Sequence, residues 1–214
     1  MLERFFFLMK PRHFFFLGVG LALVVTALVG ALLFNSPYKY QGSLINPPAP
    51  APDIELVDQY GEPFRLSAQI GEDGRRKVSM IFFGFVHCPD VCPVTLSEYR
   101  QVKTSMGEKK GEIDFIFVTV DPDRDTPEIL RKHLANFDAE FIGLTGSRAA
   151  LEQVWNDYGV FVYQHEPTQA NGYLVDHTAR VYVVDRNGDL RMTYLFGSGA
   201  EMMAEDMWHL VAER

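Results

Sequence analysis

The chain has 214 residues, 47% apolar and 13% aromatic, enough for one compact domain with a full core plus an appendage. Its two cysteines are too few for a disulfide framework or for a closed four-thiolate zinc site. Net charge is −8; Arg4, Lys10 and Arg12 against Glu3 give residues 1–36 a charge of +2, so the remainder carries −10, which argues against a nucleic-acid binder because phosphate contacts need clustered Lys and Arg.

Phe14 to Phe34 is a run of 21 residues without charge or proline, long enough to cross a bilayer. Arg4, Lys10 and Arg12 precede it and Lys39 alone follows closely, so the positive-inside bias leaves the N-terminus in the cytoplasm. Length and flanks favour an uncleaved anchor over a signal peptide, whose apolar core is shorter and ends in a small-residue cleavage site. Asn46 to Pro52 reads as a stiff, Pro-rich linker. Ile54 to Val57 and Pro63 to Leu66 read as a hairpin around Gly61. Val78 to Phe85 is apolar throughout and predicts a strand buried on both faces. Val94 to Met106 predicts a helix, with Pro93 near its first turn. Ile113 to Val120 is a second buried strand, and a helix follows from about Pro127 to Phe137. Phe141 to Leu144 is a short strand, Ser147 caps a helix to Tyr158, and Val160 to His165 is extended. Gln169 to Tyr173 is a polar loop. Val181 to Val184 and Leu190 to Phe196 form a hairpin across Asn187-Gly188, and Glu201 to Ala212 is the last helix. Arg75-Arg76-Lys77 is an exposed turn. The alternation predicts an α/β domain: a mixed sheet flanked by helices, in the order of a thioredoxin-like fold.

Both cysteines fall in Gly84-Phe85-Val86-His87-Cys88-Pro89-Asp90-Val91-Cys92-Pro93, where a strand ends and a helix begins. Backbone N–H groups at a helix start favour the thiolate, which is the nucleophile and the soft-metal ligand. Three readings follow. A structural disulfide closes too short a loop to stabilise much. A redox-active Cys88–Cys92 pair fits the fold order, but three residues separate the cysteines where thioredoxin-like oxidoreductases have two. Those enzymes also place a cis-proline before the strand of the later hairpin; the equivalent stretch, Val175 to Val181, presents His177 instead. That substitution gives the third reading: two thiolates and a neutral imidazole suit copper(I) and also copper(II), whereas zinc wants a fourth group. Asp176 or Asp121 is then a candidate to orient the His177 ring.

The cysteine segment resembles the signature of the Sco/SenC family of copper chaperones. Val120-Asp121-Pro122-Asp123-Arg124-Asp125-Thr126-Pro127 is similar to that family's second motif, Phe141-Ile142-Gly143-Leu144-Thr145-Gly146 to its third, and Tyr173-Leu174-Val175-Asp176-His177-Thr178 to its histidine segment. The likeness runs from about residue 50 to 212. It implies a thioredoxin-like domain, residues 53–214, that binds one copper through Cys88, Cys92 and His177. The domain would be held by a transmembrane anchor (1–36) and linker (37–52) on the periplasmic side of a bacterial inner membrane. It further implies delivery of copper to, or reduction of cysteines of, a haem–copper oxidase subunit during assembly, with a copper donor and a thiol reductant as further partners. The alternative is a thiol–disulfide oxidoreductase acting on a copper-protein precursor; a peroxidase-like enzyme lacks a Thr/Arg pair beside the thiol. Where the family commonly has Tyr-Thr, this chain has Phe85-Val86, which removes two hydroxyls but no ligand.

Other residues have plainer readings. His87 abuts Cys88 and is expected to modulate the thiolate or meet a partner rather than ligate. His133, His165 and His209 read as isolated surface residues. Met202, Met203 and Met207 at helical spacing read as core. Asp121, Asp123 and Asp125 lack the glycine and distal glutamate of a calcium loop, and Asp125 or Thr126 caps the helix opened by Pro127.

Overall fold

The computed structural model describes residues 11–34, 38–167 and 172–213; in the first helix it describes the side chains of Phe16 and residues 18–30. The chain divides into two units, residues 1–39 and 40–214. In the first, Pro11–Phe34 form helix α1. Among the described residues no helix is long and apolar enough to cross a membrane; the described side chains of α1 cover less than the expected span Phe14 to Phe34.

The second unit is built on an eight-stranded mixed sheet. Its strands are β1 (Ser43–Pro50), β2 (Glu55–Asp58), β3 (Pro63–Arg65), β4 (Val78–Gly84), β5 (Ile113–Thr119), β6 (Ile142–Thr145), β9 (Arg180–Val184) and β10 (Asp189–Leu195), ordered β1-β10-β9-β4-β5-β6-β2-β3. Two further strands, β7 (Val162–Gln164) and β8 (Val175–His177), pair with each other and, among the described residues, with no other strand. Helices α2 (Val91–Met106), α3 (Pro127–Leu134), α4 (Arg148–Asp157) and α5 (Ala200–Ala212) complete the unit.

The centre is the parallel pair β4–β5, in register from Val78 opposite Ile113 to Gly84 opposite Thr119. Every residue of both strands is buried. Side chains alternate between faces along a strand, so both faces must be covered. On one, Phe115 meets Tyr99 of α2, and Phe117 meets Phe82 and His133 of α3. On the other, Phe83 meets Tyr158, just after α4, and Tyr182 of β9. The helix starts follow their caps. The Thr126 hydroxyl accepts from Ile129 N with Pro127 in the first turn, and Ser147 accepts from Ala150 N.

Two elements differ from expectation. The run read as a linker contributes β1, which pairs antiparallel with β10 as an edge strand. Prolines are tolerated there because one side of an edge strand has no partner to donate to. The cysteine helix begins at Val91, three residues earlier than its apolar pattern, which places Cys92 in its first turn.

Candidate metal centre

Strand β4 ends at Gly84, and the chain turns through residues 85–90 into α2. Cys88 N donates to Phe85 O at 3.2 Å, closing the turn. Cys92 N, one helical turn on, donates to Cys88 Sγ at 3.5 Å. Cys88 is half-buried; Cys92 is fully buried, and both are free thiols. Cys92 packs onto the strand it has just left: a Cβ on residue 84 would stand 2.9 Å from Cys92 Sγ and 2.8 Å from Phe117. Only glycine admits that approach.

The two sulfurs are electrostatically unlike. The hydrogen bond from Cys92 holds the Cys88 thiol well below the ordinary thiol range; burial opposes this, and bonds from His177 and the backbone of Asp90 and Cys92 add to it. The same bond to Cys88 raises Cys92, with burial and the Cys88 charge adding to the rise. Both shifts favour the thiolate at the more exposed Cys88 and the proton at the buried Cys92.

His177 comes from the far side of the sequence on β8. Its Nε2 lies 3.9 Å from Cys92 Sγ, and its ring meets Phe82 and Phe85 edge-on, at 6.0 and 5.9 Å between centroids. Nδ1 faces the Thr178 carbonyl at 3.3 Å. Neither expected carboxylate orients the ring. Asp176 pairs with His165 at 2.8 Å, and Asp121 is taken up by Arg124 and Tyr173. Cys88, Cys92 and His177 are thus neighbours. Among the described residues, no group of three or more His, Cys, Asp or Glu stands in a metal-holding arrangement.

Several nearby residues were assigned plainer roles than the structure gives them. Asp125 is not the helix cap. It is fully buried, and its Oδ2 accepts from Val86 N at 3.1 Å and from the Thr119 hydroxyl at 2.6 Å. Burial pushes its carboxyl up to about 6 against those two bonds. Its other oxygen is buried without a partner. His133 is no surface residue: it sits between Phe117 and Phe137 with Nε2 buried and unpartnered, and burial holds it below the usual imidazole range. His165 has Asp176 as partner. His87 is exposed, while Met203 and Met207 are core and Met202 packs against it. Asp123 is an exposed partner of Arg148 at 2.7 Å. Spacing alone does not reveal buried polar groups such as Asp125; the signal available was its place between a buried strand and a proline-started helix.

A model of the SCO1/SenC family matches residues 46–212. The chain belongs to the SCO1/SenC family. Among Sco relatives, an SCO2-like protein of Rickettsia conorii is 37% identical over 153 residues, covering 71% of this chain and 72% of that one. The copper-bound ScoI structure from Bradyrhizobium japonicum superposes with a TM-score of 0.67 at 34% identity, covering 76% of this chain and 99% of that chain. Copper-bound yeast Sco1 superposes with a TM-score of 0.68 at 27% identity, covering 78% and 91%. The mixed sheet flanked by helices is therefore the thioredoxin-like Sco fold.

Proposed function

We propose that the protein is a copper metallochaperone that holds one copper ion through Cys88, Cys92 and His177 and passes it to a respiratory haem–copper oxidase subunit during assembly. Relatives of the Sco family have been solved with copper bound, and the donor set here is two sulfurs and one imidazole, the softness that copper prefers. The observation that carries the reading is the 3.9 Å between Cys92 Sγ and His177 Nε2. For metal–sulfur and metal–nitrogen bonds of about 2.3 and 2.0 Å, a trigonal site sets its sulfur and nitrogen about 3.7 Å apart. Cys88, already a thiolate, supplies the third ligand. Three ligands near a surface turn leave a place for an incoming ligand from the recipient, so the ion moves by exchange.

The asymmetry of the thiols supports a second activity at the same site. The Cys88 thiolate attacks a disulfide sulfur of a target, displacing one target sulfur as thiolate. Cys92 then gives its proton to the displaced target thiolate and attacks Cys88 Sγ, releasing the second target thiolate. Cys88 and Cys92 end as a disulfide, which a dithiol reductant protein must reduce again. The two electrons the target gains are the two this pair loses.

Helix α1 is the proposed anchor, with the N-terminus in the cytoplasm and the sheet domain in the periplasm of a bacterial inner membrane. Its apolar run of 21 residues and the basic residues before it support this topology. The full chain in detergent, loaded with copper against a chelator, tests the ligand set. His177→Ala is expected to weaken copper binding by at least an order of magnitude while disulfide reduction survives. Unchanged copper affinity in that variant overturns the ligand set. A reporter fused to the C-terminus tests the topology, and activity confined to the cytoplasm would reverse it.

A further inference from the structure

Strand β8 lies outside the eight-stranded sheet and, among the described residues, pairs only with β7, three residues against three. The main sheet holds only the C-terminal side of His177, where Arg180 begins β9 and Ala179 O accepts from Phe196 N at 3.3 Å. Contacts on its N-terminal side must set the rest, and Arg124 supplies a connected set. Its Nη1 donates to the Tyr173 carbonyl at 3.0 Å, two residues before β8. Its guanidinium lies over the Tyr173 ring, 3.7 Å from the centroid. Its Nε donates to Asp121 Oδ2 at 2.5 Å, and the Tyr173 hydroxyl donates to Asp121 Oδ1 at 2.6 Å. Arg124, Tyr173 and Asp121 thus close a ring of charge-assisted bonds around a carboxylate that is only 1% exposed.

The other end of this ring is tied to the cysteines. Arg124 stands in the loop after β5. Val120 N donates to Gly84 O at 2.8 Å, and Asp125 accepts from Val86 N, so that loop is bonded to both ends of the segment entering the cysteine turn. The guanidinium is also 5.9 Å from the centroid of Phe85, whose ring meets His177. Arg124 Nη2 is buried without an acceptor.

We infer that Arg124 is a positioning residue for His177: clasped to Tyr173 and Asp121, it sets the β7–β8 hairpin over the cysteine turn and so fixes the spacing between the imidazole and the two sulfurs. The inference rests on the proposed ligand set, and its test separates the two. Groups that orient a metal ligand from outside the coordination sphere typically change affinity by about 10- to 100-fold when removed.

Copper affinity of the full chain in detergent is measured by chelator competition for wild type, Arg124→Gln, His177→Ala and the double variant. Arg124→Gln is expected to weaken copper at least about tenfold, and the double variant to bind no more weakly than His177→Ala. That non-additivity is the signature of a residue acting through the imidazole. Wild-type affinity in Arg124→Gln, or an equal further loss in the His177→Ala background, overturns the inference. If His177→Ala itself binds copper normally, the ligand set fails and the clasp with it. Should Arg124→Gln not fold, Tyr173→Phe removes only the hydroxyl bond to Asp121. It is expected to weaken copper severalfold in wild type and not at all beside His177→Ala, and any other pattern counts against the clasp.

Discussion

The sulfur of Cys92 rests against the backbone of Gly84, 2.9 Å from the point where a side chain on that residue would begin. The strand end and the first turn of α2 are thus in direct contact, and the buried thiol owes its position to a missing methyl group. A Gly84→Ala chain must displace Cys92, Phe82 or Phe117, all in a packed interior. Overpacking of this kind costs about 1–3 kcal/mol. Urea unfolding of the variant is expected to show a loss in that range together with weakened copper binding. Wild-type stability and affinity together would mean that the contact is slack.

The two thiols should separate by reactivity. With its acid constant depressed, Cys88 stays a thiolate down through neutral pH and protonates only well into acid. Cys92, raised and buried, stays a thiol. Iodoacetamide at pH 6 to 7, followed by peptide mapping, is expected to label Cys88 quickly and Cys92 only after unfolding. Equal labelling rates, or a Cys88 rate that climbs tenfold per pH unit across this interval as an ordinary thiol's does, would contradict the assignment.

Copper uptake should release about one proton near neutral pH, because Cys88 is already ionised while Cys92 must give up its proton to ligate. Affinity is then expected to rise about tenfold per pH unit between pH 6 and 8, measured by chelator competition with correction for the chelator's own protonation. A flat profile would exclude Cys92 as a thiolate ligand.

Asp125 makes a separate prediction about stability. Its carboxyl is raised from 3.8 to about 6, first by burial. A raised acid binds more protons folded than unfolded between those values, so its contribution favours folding fully below 3.8 and is lost as pH rises through about 6. The difference corresponds to on the order of 3 kcal/mol. Asn at this position keeps an acceptor for Val86 N and the Thr119 hydroxyl but cannot titrate. Between pH 7 and 4, wild type is expected to gain stability relative to Asp125→Asn, read from urea midpoints. A constant difference between the two proteins would show that the carboxylate is not strained by its burial.

Much of this fold was legible from residue pattern. The unbroken apolar runs at 78–85 and 113–120 became the fully buried β4 and β5, and the Asn187-Gly188 turn joined β9 to β10. Ser147 and Thr126 capped the helices that were expected to follow them. What pattern hid was tertiary. Strand β1 was invisible because its prolines argue for a linker until a neighbouring edge is known to accept it. Asp125 looks like a helix cap and His133 like a surface residue in a one-dimensional reading, and only packing shows that the first is fully and the second partly buried. The approach of His177 to Cys92 spans 85 residues. It was inferable from the order of elements, the missing proline and the resemblance of residues 173–178 to a family motif, with no periodicity to support it.

Because the histidine rides on a two-stranded flap while the cysteine turn is rooted in the packed interior through the buried Cys92, loading and release need not share one barrier with unfolding. Three residue pairs can part at a small fraction of the free energy that holds β4 and β5 together. In the proposed copper role, the ion can then leave when this short pairing opens, with the interior of the sheet unchanged.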